Sequence, residues 1–219
     1  MYFNSREQAG LLLADKLLEQ YRFEDCAVIA LSDGAVIVGE QIAAALHCVL
    51  MMLLIEDIEV PGEGLSFGGV SQSGAFTYNG MFSAGEIEHY TGEFHGYLEE
   101  QKREAFQRIN RLLGDGGLID AGMLRDHTVI LVADGLDTGT SLDVAGDFLK
   151  PIRIKKLIVA TPIATVQAVD KLHVLADEVH VLDVRESFMG GVNHYYEENN
   201  IPSHEDTIAK INQIVLNWR

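Results

Sequence analysis

Five short apolar runs set the limits on what this chain can fold into: Ala27–Leu31, Val49–Ile55, Val129–Ala133, Leu157–Ala160 and Val179–Leu182. Four are unbroken and the fifth holds a single polar residue, His180. Continuous apolar runs of this length suit strands covered on both faces, the habit of parallel sheets. Between them lie helical patterns at Val38–Leu46, Ser141–Leu149 and Thr165–Leu175. A first helix is announced by a Ser5/Gln8 capping box ahead of Ala9, Leu13 and Leu17. Strand and helix therefore alternate. The expected fold is α/β: an open, mainly parallel sheet flanked by helices. The length of 219 residues fits a single domain, 1–219.

One region interrupts the alternation. Pro61 to Gly80 is rich in Gly, Ser and Thr, and reads as a hairpin of Ser66–Val70 with Ala75–Tyr78, turning at Ser71–Gly74. A second capping box, Ser83/Glu86, opens a pattern of Ile87, Tyr90, Phe94, Tyr97, Ala105, Ile109 and Leu112. That spacing predicts one long amphipathic helix, weakened at Gly92 and Gly96 and ended by Gly114–Gly117. We read 58–118 as an inserted hairpin and helix lid, and 183–203 as a small hood segment. The insert serves as a lid, a dimer contact or plain core covering. The Ile208–Trp218 pattern reads as a covering helix or dimer face.

Composition excludes several classes of function. Against 16 Lys+Arg stand 33 Asp+Glu, a net charge of -17. A chain so acidic lacks the clustered cations that phosphate backbones and anionic membranes require, so no nucleic-acid or membrane partner is expected. The longest apolar stretch, Cys48–Ile55, is far short of the ~20 residues of a membrane span. The first residues lack a signal peptide's apolar core, so a cytoplasmic location is expected. Cys26 and Cys48 sit in apolar contexts as reduced core thiols. No His pair has the spacing of a helical metal site: His89 and His95 are six apart, His173 and His180 seven.

The segment Thr128–Ser141 carries the chemistry. It reads strand, loop and helix start, and the loop offers backbone N–H groups and three hydroxyls at the positive end of a helix. This is a way to hold a phosphate without a lysine. Asp134, just past the strand, stands where ligands bind in open α/β sheets. Neither a P-loop nor a Rossmann glycine pattern occurs; after Gly62 and Gly64 the third Gly is replaced by Phe67.

This segment resembles the phosphoribosyl pyrophosphate (PRPP) signature of type I phosphoribosyltransferases. The apolar residues are Val129–Val132, the second acid is Asp134, and the loop is Asp137–Ser141. The resemblance extends to the Asn4–Leu18 helix, the Ala27–Ala35 strand and Gly loop, the Pro61–Val70 segment and the Phe188–Glu197 tail. It implies that Thr138, Gly139, Thr140 and Ser141 bind the 5-phosphate of PRPP and that Asp134 receives a ribose hydroxyl. It implies that Ser32, Asp33 and Gly34 form the pyrophosphate loop, in a strained turn for which a cis peptide before Asp33 is one form. Asp137 takes the place of a general base or acid facing a purine, which slightly favours a purine acceptor, its other reading being a loop acid that caps the Thr140–Leu149 helix, and Phe188 takes that of the ring stacked on the base. His194 stands where the family's tail edges the base pocket, and a solvated loop position is its other reading. The implied cofactor is Mg²⁺, with Asp134 as a metal contact, and the implied assembly is a homodimer.

The sequence also departs from the family pattern. Ala133 stands in place of the first acid of the pair, Asp33 in place of a basic residue, and Glu56 and Asp57 follow a strand that is basic in close relatives. Ala160 or Thr161 occupies the place of the lysine that reads a purine 6-oxo group. Two functions remain open at this point. One is a transferase that moves ribose 5-phosphate from PRPP to a nitrogenous base. The other is a catalytically degenerate member that binds PRPP or a nucleotide as a sensor.

Overall fold

The computed structural model describes residues 2–113, 119 and 121–217, of which 215–217 by backbone alone. Ser5 caps α1 (Arg6–Tyr21) by accepting from the Gln8 N–H, while the Gln8 side chain accepts from the Asn4 N–H. Strand β1 (Cys26–Ala30) follows, then α2 (Asp33–Leu46), which ends at His47 in the left-handed region, and β2 (Val49–Met52). Next come β3 (Ile55–Glu59), β4 (Ser66–Ser71) and β5 (Phe76–Tyr78). Helices α3 (Ala84–Glu93) and α4 (His95–Leu113) lead to β6 (Thr128–Val132). The chain closes with α5 (Thr140–Leu149), β7 (Lys156–Thr165), α6 (Val166–Leu175), β8 (Glu178–Arg185) and α7 (His204–Asn217).

These elements form two units. The first comprises residues 1–52, 119–138 and 152–219, and the second residues 53–118 and 139–151. In the first, five parallel strands run in the order β2-β1-β6-β7-β8, so β6 lies at the centre. Every residue of β1 and β6 is buried, the apolar ones as expected and Thr128 with its hydroxyl donating to Glu24. Helix α1 packs along α2, and α7 packs against β2 and α2. The N-terminal residues join this unit through an aromatic cluster in which Phe3 and Ala9 pack with Ile163, Tyr195 and Tyr196. Backbone bonds from Phe3 to Tyr195 and from Glu197 back to Phe3 fix that contact.

The second unit is built on the antiparallel sheet β3-β4-β5. The expected hairpin is β4 with β5, in register Gly68↔Tyr78 to Val70↔Phe76. Helices α4 and α5 both pack on this sheet. Phe67 is fully buried among Phe76, Tyr78, Phe82 and Tyr90, with ring centroids 5.3–6.4 Å apart.

Two expectations are corrected. The run Val49–Ile55 is two strands: β2 joins the parallel sheet and β3 the antiparallel one. Leu54 between them is turned into the second unit by a two-way pairing with Gln72, and Leu53 and Leu54 stay buried. Apolarity that never lapses cannot mark such a break. The predicted long helix is also two helices, interrupted at Phe94, whose φ of -111° and ψ of 21° leave the helical region. Gly92 and Gly96, both in open space, flank the break. Two glycines so close cost the continuous helix ~2 kcal/mol. The expected end of that helix at Gly114–Gly117 lies outside the described residues, as does Trp218.

Phe67 is the anchor of the antiparallel unit. Phe67→Ala should lower stability by ~3–5 kcal/mol in urea unfolding, because both contacts and cavity volume are lost. A loss below ~1 kcal/mol would show that this cluster is not the unit's core.

Candidate functional site

The carboxyl ends of the parallel strands gather several of the expected residues. Beyond β6 the chain stays extended alongside β7, with Leu136 N–H bonded to Ile163 and Thr165 N–H bonded to Leu136. This holds Asp134 at the head of the central strand. One carboxylate oxygen of Asp134 accepts from Ser32 Oγ at 2.9 Å and the other from Arg6 Nε at 2.7 Å. Its backbone carbonyl accepts from the Tyr196 hydroxyl at 2.5 Å. Burial and the nearby Asp134 charge push that phenol well above its ordinary range.

Arg6 is 2% exposed and links three segments. Besides Asp134, its two terminal nitrogens donate to Asn199 Oδ1 at 3.2 Å and Asn193 Oδ1 at 2.5 Å. The guanidinium carbon lies 4.3 Å from the centre of the Tyr196 ring. A buried charge is tolerable when paired and hydrogen-bonded in this way.

The expected pyrophosphate loop has a regular form. Ser32 is extended (φ -158°, ψ 166°) and caps α2 by accepting from the Ala35 N–H, so Asp33 and Gly34 are already helical. All peptide bonds among the described residues are trans, and the expected strained turn is absent. A serine with two uses accounts for this: its oxygen caps the helix while its proton goes to Asp134. Asp33 accepts from His204 Nδ1 at 3.1 Å, with α7 supplying the histidine. Gly34 is required by proximity, because a Cβ there would lie 2.2 Å from Asp134 Oδ2 and 2.8 Å from Arg6 Nε.

Asp137 is exposed, and partial desolvation raises its carboxyl above the usual carboxylate range. Its backbone carbonyl accepts from Thr165 Oγ1 at 2.5 Å, and the same oxygen caps α6 through the Ala168 N–H. Asp137 does not cap α5: the residue at that position is Gly139, in the left-handed region (φ 72°), with no side-chain cap. Thr140 and Ser141 form the first turn of α5, and Thr138 precedes them. Phe188 is half-buried with its ring 5.3 Å from that of Tyr195. His194 is exposed beside Tyr2 and Tyr195.

In the second unit, Glu56 pairs with Arg108 at 2.8 Å. Asp57 remains accessible to water, yet desolvation, Glu56 and Glu59 push its carboxyl up to about 6. Burial also pushes the Cys26 and Cys48 thiols up to about 11 and about 12, which leaves them protonated and unreactive near neutrality. Among the described residues no three His, Cys, Asp or Glu are grouped to hold a metal ion. No described helix is long and apolar enough to cross a membrane.

Sequence reasoning therefore located Ser32, Gly34 and Asp134, which meet, and missed Arg6, Asn193, Tyr196, Asn199 and His204. Arg6 reads locally as one polar residue in a helix's first turn. Its partners lie 128, 187 and 193 residues away, beyond any local pattern.

Comparison with known proteins gives a consistent family. The model of the phosphoribosyl transferase domain matches residues 6–197. Two curated Mycobacterium tuberculosis proteins, from strains CDC 1551 and H37Rv, whose phosphoribosyl transferase assignments are themselves provisional, are each 26% identical over 208 residues. That covers 94% of this chain and 46% of each of theirs, so the chain spans about half the length of these relatives. Among solved structures, TT1426 from Thermus thermophilus is 25% identical with a TM-score of 0.72, covering 100% of this chain and 99% of that one. AQ2163 from Aquifex aeolicus is 15% identical with a TM-score of 0.50 over 84% of this chain and 77% of its own, a likeness of fold.

Gly34→Ala should cost ~1–3 kcal/mol of stability, because the new methyl collides with both members of the Arg6–Asp134 pair. Denaturant unfolding checks this, and an unchanged midpoint would contradict the close approach.

Proposed function

Because the chain belongs to the phosphoribosyl transferase domain family, we propose that it transfers ribose 5-phosphate from PRPP to a nitrogenous base, with a purine slightly favoured. The observation that carries this reading is the placement of Asp134 at the carboxyl end of central β6, with the Thr138–Ser141 segment turning through left-handed Gly139 into α5. In the reaction a bond forms between a base nitrogen and ribose C1 while the C1–oxygen bond to pyrophosphate breaks. The bonding pair leaves with pyrophosphate. The developing oxocarbenium charge at the sugar makes positioning and electrostatic stabilisation the main work of the protein.

Each residue then has a part. Thr138–Ser141 hold the 5-phosphate through backbone N–H groups and hydroxyls. The Asp134 carboxylate receives a ribose hydroxyl and fixes the sugar. Asp137 exchanges a proton with the base, and its raised carboxyl suits that part. Phe188 faces the base, backed by Tyr195. Ser32, Asp33 and Gly34 offer the N-terminus of α2 to pyrophosphate. PRPP is taken as its Mg²⁺ salt, an ion that belongs to the substrate. The residues present do not fit a protein-held divalent ion at Asp134, because both carboxylate oxygens already have donors. A cytoplasmic homodimer is the proposed state.

A second reading, a sensor of PRPP or a nucleotide with the chemistry lost, is favoured by two features. Asp33 places a negative charge at the proposed pyrophosphate end, and Ala133 removes a second acid. Calorimetry with PRPP–Mg²⁺ and with a nucleoside monophosphate, followed by a pyrophosphate-release screen over free bases, separates the two. Binding with turnover supports the transferase, binding without turnover the sensor, and no binding of either ligand contradicts both. Gly139→Val should abolish binding of both ligands, since a β-branched residue resists the left-handed turn and its side chain fills the anion's place. Unchanged affinity in that variant would overturn the phosphate-loop assignment.

A further inference from the structure

We propose that Arg6 is a positioning residue that acts as the fixed counter-cation of Asp134, filling at that carboxylate the electrostatic place of a divalent metal. The ligand's sugar hydroxyls would then meet an Arg6–Asp134 pair with no metal bound to Asp134. The nature of the ligand rests on the phosphoribosyl reading; the role of Arg6 rests on geometry alone.

Three observations carry this. First, Arg6 is buried and each of its three nitrogens has an acceptor: Nε has Asp134, the other two have the neutral side-chain carbonyls of Asn199 and Asn193, and its face lies over Tyr196. Asp134 is thus the partner that balances its charge. A guanidinium cannot lose its proton at any ordinary pH, so this compensation is permanent. Second, the two oxygens of Asp134 are already engaged by Arg6 and by Ser32 Oγ, and Gly34 lies so close that even a methyl would strike Oδ2. A dication with its shell of waters would have to displace a donor and then face the Arg6 charge at short range. A neutral hydroxyl needs only a remaining lone pair and meets no such repulsion. Third, the neighbouring position is Ala133, buried and uncharged. Two adjacent carboxylates would call for a doubly charged partner, whereas one carboxylate with one arginine is already neutral.

The arrangement also ties the ligand-facing carboxylate to the 193–199 segment. Asn199 Nδ2 donates to the Asn193 carbonyl at 2.9 Å, and the Tyr196 hydroxyl donates to the Asp134 carbonyl. Arg6 therefore orients Asp134 directly at Oδ2 and, by stacking on Tyr196, supports the residue that holds its backbone, which is why we assign it positioning and not contact with the reacting atoms.

The test has two arms. In the first, Mn²⁺ is titrated into the protein alone and free Mn²⁺ is followed by electron paramagnetic resonance. Wild type and Asp134→Asn should bind Mn²⁺ equally. Arg6→Met, confirmed folded by circular dichroism, should gain a site at least tenfold tighter, and Arg6→Met with Asp134→Asn should lose it again. If Asp134→Asn removes a Mn²⁺ site from wild type, or folded Arg6→Met gains none, the proposal is wrong. Should Arg6→Met not fold, the comparison of wild type with Asp134→Asn still decides. In the second arm, ribose 5-phosphate binding is measured by calorimetry in EDTA and in Mg²⁺. Wild type should bind within twofold in the two conditions. Arg6→Met should lose at least tenfold in EDTA and recover in Mg²⁺, with Arg6→Lys between them. A tenfold loss of wild-type affinity in EDTA overturns the proposal. If wild type binds no ribose 5-phosphate in either condition while the manganese results hold, the phosphoribosyl reading fails and the role of Arg6 stands.

Discussion

A buried guanidinium on α1 that grips the carboxylate following β6 is the contact on which the carboxyl end of the parallel sheet depends. Arg6 is 2% exposed, and taking such a charge and its partner out of water costs several kcal/mol per ion. Four hydrogen bonds offset that cost: Arg6 to Asp134, Asn193 and Asn199, and Ser32 to Asp134. Removing Asp134 leaves the buried Arg6 charge without this counter-charge, and removing Arg6 leaves a half-buried carboxylate without its cation, so neither side chain is readily lost alone. Segments around residues 6, 32, 134 and 193–199, distant in sequence, are thereby fixed to one another.

The neighbouring features follow from that pair. Ser32 is held by its bond to Asp134, and as the cap of α2 it carries this constraint into the helix that begins with Asp33. Asp33, turned to His204, links the same helix to α7, where Lys210 and Glu40 form a second link at 2.6 Å. Tyr196 covers the guanidinium face while its hydroxyl holds the Asp134 backbone. A chain with 33 acidic and 16 basic residues thus commits one of its few cations to the interior, where low dielectric makes it most effective.

Much of this was legible in the sequence where the signal was local. The buried strands β1 and β6, the Ser5 and Ser83 caps, and the β4–β5 hairpin each follow from a short pattern with a direct physical cause. The family was legible because the strand–loop–helix segment 128–149 is itself local. Where two buried segments follow one another without a polar residue, as at Met52–Ile55, the strand break left no trace. The interruption at Phe94 was foreshadowed by Gly92 and Gly96, although apolar spacing alone ran straight through it. Arg6 and His204 could not be found, since a polar residue at a helix start looks the same whether it meets water or a carboxylate far along the chain.

The most direct test of this account is a double-mutant cycle between Arg6 and Asp134, read by denaturant unfolding of wild type, Arg6→Gln, Asp134→Asn and the double variant. Asp134→Asn should cost ~3–5 kcal/mol, because it strands the buried Arg6 charge, and Arg6→Gln somewhat less, because the carboxylate it strands is only half-buried. The double variant should cost less than the sum of the two by at least ~1.5 kcal/mol. Additive losses would contradict the account, since they would mean that the two side chains do not depend on each other.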